Sequence, residues 1–116
     1  MDRINQRHIE YHNHILELME STVMDYPLNP ELKDHILYDV EKGHYQLLRI
    51  GWSEKHRIFQ VLMHFELRED GKVWIQENLT ELAVDEELLK KGIPSDDIVL
   101  GLEYPLYRRF TDFAEA

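Results

Sequence analysis

Apolar positions recur every three to four residues from residue 2 to residue 23. Ile4, Ile9, Tyr11, Ile15, Leu16, Leu18 and Met19 gather on one broad face, with Arg3, Gln6, Arg7, Glu10 and Glu17 opposite. No Gly or Pro interrupts this segment, so it is expected to be one amphipathic helix ending near Met24–Asp25. Tyr26-Pro27 and Asn29-Pro30 follow. A residue before proline is pushed away from helical angles, which makes 25–32 a turn-rich connector.

From Asp34 the period changes to two. Ile36, Tyr38 and Val40 alternate with Leu37, Asp39 and Glu41, the pattern of a half-buried strand. Glu41-Lys42-Gly43 makes a turn, and residues 44–52 form a second strand. After Ser53-Glu54-Lys55, residues 56–67 form a third. In that strand Phe59, Val61, Met63, Phe65 and Leu67 are expected on one face, with Gln60, His64 and Glu66 on the other. Asp70-Gly71 signals a hairpin into a fourth strand at 72–78. Three short links between four strands imply an antiparallel meander. Thr80 or Asp85 is expected to cap a second helix running to about Lys91. Lys90 and Lys91 would face its dipole, and Gly92 and Pro94 would stop it. Asp96–Leu102 resembles a short fifth strand, and the aromatic remainder from Glu103 has no regular period.

The elements define a single α+β domain over residues 1–116. Its mainly antiparallel sheet of four to five strands is covered on one face by the N-terminal helix and the second, short helix. The opposite face, with Ile58, Leu62 and Leu48, is expected to favour a homodimer or higher homo-oligomer. Hydrophobic residues make up 43% and charged residues 31% of the chain, an ordinary globular balance. There is no cysteine, which removes disulfides, thiolate nucleophiles and Cys-based metal sites and fits a cytoplasmic location. The first residues hold no continuous apolar run of the signal-peptide kind. No stretch approaches the roughly 20 apolar residues of a membrane helix, so no membrane association is expected. Thirteen basic against twenty-three acidic residues give a net charge of −10. Gripping a duplex requires clustered Lys and Arg, and here only Lys90-Lys91 and Arg108-Arg109 are adjacent. DNA is therefore expected to be met only indirectly, through a basic protein partner.

Several ordered motifs resemble those of the XisI family. Asp39–Trp52 (DVEKGHYQLLRIGW) carries the family's Asp, Glu, His-Tyr-Gln-Leu and Gly-Trp. Asp70–Gln76 (DGKVWIQ), Thr80-Glu81, Glu87–Pro94 (ELLKKGIP), Asp97–Gly101 (DIVLG) and Arg108–Ala114 (RRFTDFA) follow in the family's order and at similar spacing. The chain departs from the pattern in having one proline, Pro105, where the family pairs two, and Leu79 where a small residue is common. The family is named for controlling excision of the fdxN DNA element in cyanobacteria. The resemblance implies a non-enzymatic, auxiliary role in DNA rearrangement beside XisH, an endonuclease-like protein. It implies no catalytic residue and no cofactor.

The candidate interface residues are Trp52, Trp74, Tyr104, Tyr107, Arg108, Arg109 and Phe110. Tyr, Trp, Phe and Arg are the types enriched where proteins meet. The two tryptophans also suit core positions, and the tail equally suits folding back over the sheet. The competing class is a small metal-assisted hydrolase. His8 and His12, four apart on the first helix, would place two imidazoles on one face beside a carboxylate. The chain there is H-I-E-Y-H and not H-E-x-x-H, and both histidines fall among apolar helix positions, which suits packing better. His44, His56 and His64 lie on or beside strands. His64 shares the more polar face with Gln60 and Glu66, and a cross-strand His–carboxylate pair there could act as an acid–base couple or merely as surface neighbours.

Overall fold

The computed structural model describes residues 6–116, so the part of the first predicted helix over residues 2–5, Ile4 included, lies outside the described residues. Helix α1 (Gln6–Thr22) is followed by strands β1 (Leu32–Asp39), β2 (His44–Ser53), β3 (His56–Leu67) and β4 (Val73–Asn78). Helix α2 (Val84–Lys90), a 3-10 turn (Ser95–Asp97), β5 (Ile98–Leu100) and helix α3 (Pro105–Arg108) complete the chain. The strands lie in the order β1-β2-β3-β4-β5. The first four form the expected antiparallel meander, and β5 runs parallel to β4. A parallel neighbour needs a crossover, which the segment containing α2 supplies.

Both longer helices pack on one sheet face. Tyr11, Ile15, Leu18 and Met19 of α1 and Val84 and Leu88 of α2 share one core with Tyr45, Leu47, Leu62, Met63, Phe65, Leu67, Val73, Ile75 and Ile98. Ile9, expected on the apolar side of α1, is exposed. Tyr11 ties the helix to the 3-10 turn by donating its hydroxyl to Asp97 Oδ2 at 2.6 Å.

The third strand departs from strict alternation. Leu47 pairs with Met63, but Leu48 pairs with Val61, leaving Leu62 as an extra residue on β3. A bulge of this kind turns two successive side chains to one side and reverses the parity of everything before it. Met63, Phe65 and Leu67 are buried as expected. Phe59, expected beside them, is 63% exposed on the other face, and Leu62, expected on that other face, is in the core. Ile58, paired with Gly51, also shares the helix-side parity. Leu48 is thus the one residue of the three cited for self-association that stays on the face opposite the helices.

Two local expectations give way to backbone detail. Neither Thr80 nor Asp85 caps α2: Ala83 stands at the cap with no side-chain bond. Thr80 instead serves a tight turn, its hydroxyl donating to Asn78 Oδ1 at 2.6 Å and accepting from the Leu82 amide at 3.2 Å. The predicted strand at Asp96–Leu102 shortens to three residues because Ser95–Asp97 form a 3-10 turn. The tail, expected to be irregular, contains one short helix. Pro105 opens it, where the missing N–H costs nothing and the fixed φ suits a first turn.

Candidate functional site: the face opposite the helices and the C-terminal tail

His44, Gln46, Leu48, Ile50 and Trp52 of β2 point away from the helices. Their cross-strand partners set the rest of this second face: Lys33, His35, Leu37 and Asp39 on β1, Arg57, Phe59, Val61, His64 and Glu66 on β3, and Trp74 on β4. The tail divides it in two. Arg108 donates from Nε to the carbonyls of Leu100 (3.1 Å) and Glu103 (3.2 Å), and from Nη2 to that of Gly101 (3.2 Å). Its guanidinium also lies over the Trp74 ring, 5.0 Å from the centroid, while Arg68 lies 3.6 Å from it. Beyond the helix the chain returns to β5, with Ala114 bridging Val99 and its amide donating to Ile98 O at 2.9 Å. The β4–β5 half of the face is therefore roofed by the tail, and the β1–β3 half is open.

These contacts separate the seven candidate interface residues. Trp74 is only 7% exposed, and its indole N–H has no partner among the described residues, so it acts as a floor for the tail and not as a contact surface. Arg108 is the clamp just described. Tyr104, Tyr107 and Phe110 remain outside: Tyr104 and Tyr107 meet edge to face at 5.5 Å, and Arg109 lies 5.8 Å from the Phe110 ring, which is 78% exposed. Leu102 and Leu106 are exposed beside them. Trp52 belongs to a separate patch on the open half, 44% exposed, with Arg57 5.5 Å over its ring and 6.0 Å from Phe59.

The histidines fall differently from the two-imidazole arrangement on α1. His12 Nδ1 lies 2.7 Å from the Tyr45 hydroxyl, and its ring packs edge-on against Tyr38 and Tyr45. Burial, then the charge of His8, holds His12 below the ordinary imidazole range. Burial, then Tyr38, pushes the Tyr45 hydroxyl up to about 12. A neutral His12 accepting the Tyr45 proton satisfies both. Among the described residues no three His, Asp or Glu side chains converge in metal-ligand geometry. At His64 the cross-strand partner is a second imidazole and not the expected carboxylate. Glu66 accepts from Arg68 Nη2 (3.2 Å) and Gln76 Nε2 (3.1 Å), and His64 meets His44 instead, Nε2 to Nδ1 at 2.9 Å. Hairpin arithmetic alone brings these two rings into diagonal reach, since His44 pairs with Glu66 and Gln46 with His64.

A pH dependence follows from His12. Its folded pKa is lowered, so its contribution is complete above the ordinary value of 6.5 and is lost as pH falls below it. The urea midpoint is expected to hold at neutral pH and fall between about pH 6.5 and 5. Burial lowers His64 in the same direction. The His12→Gln variant, followed by tryptophan fluorescence, should show a shallower fall.

Fold and surface together define a small mixed α+β protein whose distinctive chemistry lies on exposed faces. The chain belongs to the XisI protein family, whose model matches residues 1–115. It is similar to the crystal structure of a XisI-like protein from Anabaena variabilis ATCC 29413, with 34% identity and a TM-score of 0.86 over 93% of this chain and 98% of that one. It is also similar to the fdxN element excision controlling factor XisI from the same organism, with 32% identity and a TM-score of 0.78 over 96% and 100% of the two chains. A search of curated proteins gave no match. No helix among the described residues is long and apolar enough to cross a membrane.

Proposed function

We propose that this chain is a non-enzymatic controlling factor for excision of a DNA element, acting in the cytoplasm by binding an XisH-like endonuclease-type protein. The observation that carries the reading is the ridge of Tyr104, Tyr107 and Phe110, held outward by an arginine clamp and flanked by exposed Leu102 and Leu106. A pre-ordered aromatic ridge binds at low entropic cost, because few side-chain and backbone freedoms remain to be lost. Membership of the XisI family and the name of the second structural relative support the same role. The net charge of −10 suits a partner with a basic, phosphate-binding groove, which an acidic surface can occupy and so direct or restrain.

Co-expression with the XisH-like protein and size-exclusion chromatography at low salt tests this. One shared peak is expected, and two separate peaks would refute it. Tyr107→Ala and Phe110→Ala are each expected to weaken the complex about 30-fold, the scale of a buried aromatic anchor worth about 2 kcal/mol. Trp52→Ala, on the open half of the sheet, should leave that complex intact. Light scattering on the chain alone tests the homodimer expected from the apolar sheet face.

A further inference from the structure

The His44–His64 pair has no part in the core, the tail or the aromatic ridge. It sits on the open half of the sheet, its two rings on adjacent strands, with Leu37, Tyr38, Asp39 and Gln46 lining the same shallow cavity of about 270 Å³. We propose that His44 and His64 form a binding site for a divalent late transition-metal ion, with His44 Nδ1 and His64 Nε2 as its two protein ligands. The juxtaposition of two imidazole nitrogens on adjacent, hydrogen-bonded strands carries the inference. Two imidazole nitrogens bound at about 2.05 Å to one ion lie about 2.9 Å apart at a right angle and about 3.3 Å apart in a tetrahedron. The observed 2.9 Å is the length of the hydrogen bond between the rings, so an ion needs little change in their spacing but a rotation of each ring until both lone pairs meet at it.

The chemistry balances without an added base. In the metal-free pair one ring donates an N–H to the bare nitrogen of the other. When an ion enters, that proton moves through water to the second nitrogen of its own ring. Both imidazoles stay neutral and present two lone pairs to the ion. The site is built on strands and not loops. His44 pairs directly with Asp39 and Glu66, and His64 with Gln46 and Glu77, so the backbone holds the ligand positions before the ion arrives. No third His, Asp or Glu among the described residues converges on the pair, so the remaining positions belong to water or to a donor from outside the chain. An open shell facing solvent suits an exchangeable ion rather than a permanent structural one. At the His8–His12 spacing, by contrast, His12 Nδ1 is held by the Tyr45 hydroxyl, which leaves only its Nε2 for an ion.

The test uses the full, tag-free chain after dialysis against chelator. Calorimetric titration with Ni2+ and Zn2+ is expected to show one ion per chain. Substituting either ligand, as His44→Gln or His64→Gln, should weaken binding at least about tenfold. His8→Gln should leave it unchanged. In the unmodified protein, substoichiometric Cu2+ should broaden amide NMR signals around residues 44–46 and 62–66, a readout that requires no variant. Absence of binding, affinity indifferent to both substitutions, or broadening centred on residues 8–14 would overturn the proposal.

Discussion

Replacing Asp34 by alanine is expected to lower the unfolding free energy by about 2–3 kcal/mol, the cost of leaving a part-buried guanidinium without its counter-charge and a backbone amide without its acceptor. The Asp34 side chain is 0% exposed, and Arg49 holds it through Nε at 3.0 Å to Oδ1 and Nη2 at 3.3 Å to Oδ2. The same carboxylate accepts the Met24 amide at 2.9 Å and faces the Tyr26 hydroxyl at 3.3 Å. Arg49 in turn lies 5.1 Å over the Tyr26 ring. One side chain therefore ties the connector after α1 to the first two strands. Its loss leaves a guanidinium, only 24% exposed, without a counter-charge and frees the Met24 amide. Urea unfolding should show a lower midpoint with an unchanged slope. Adding Arg49→Met to Asp34→Ala should recover part of the loss, since the stranded charge is then gone. If Asp34→Ala costs less than about 1 kcal/mol, the pair is no better than a surface salt bridge.

Most of the architecture is legible because local pattern and tertiary burial agree. The helix over α1 follows from seven apolar positions on one face, and four of the described ones are buried. Two of the three hairpins follow from glycine chemistry, at Gly43 and Gly71, while the β2–β3 turn uses Glu54 at φ +57°. Gly43 has φ +74°, and a methyl group there would collide with the Leu67 carbonyl oxygen, so the β1–β2 turn needs a residue without Cβ. What escaped the pattern was register. The run from Ile58 to Leu67 is apolar at every odd position and apolar again at Ile58 and Leu62, so alternation alone cannot show where an extra residue enters. The packing of α1 decides it, by drawing Leu62 and Met63 together into the core. The direction of β5 was equally hidden, being fixed by a crossover through α2 and not by any residue within β5.

The candidate surface was legible in residue type but not in role. Seven aromatic and arginine residues suit an interface by composition, yet composition cannot separate the ridge from its supports. Arg108 and Arg109 are adjacent and chemically identical. Arg108 donates to three carbonyls at the end of β5 and the start of the tail, while Arg109 stays at the surface beside Phe110. Trp74 carries the Asp70–Gln76 resemblance and disappears beneath two guanidinium groups. Only the return of the tail to β5 makes these distinctions, and that return depends on contacts distant in sequence. The His44–His64 contact is the opposite case. Both positions and the hairpin between them are visible in the sequence, but contact across strands depends on register and not on a fixed spacing like the four residues between His8 and His12.

A paired substitution on β3 gives the other large effect and tests the bulge directly. Phe65→Ala is expected to cost about 3–5 kcal/mol, the range for deleting a buried aromatic ring when the surroundings close only in part. Phe65 is 0% exposed on the middle strand of the sheet, between Tyr45 of β2 and Ile75 of β4 and in the core beneath α1. Phe65→Leu keeps most of the volume and should cost less than about 1.5 kcal/mol. Phe59 stands six residues earlier on the same strand, an even spacing that an unbroken pleat would put on the same face as Phe65. The extra residue at Leu62 moves it to the open face, so Phe59→Ala should change stability by no more than about 0.5 kcal/mol. Guanidinium unfolding of the two alanine variants measures the contrast. Equal losses at the two positions would mean that β3 runs without the bulge and that the open face of the sheet has been assigned the wrong side chains.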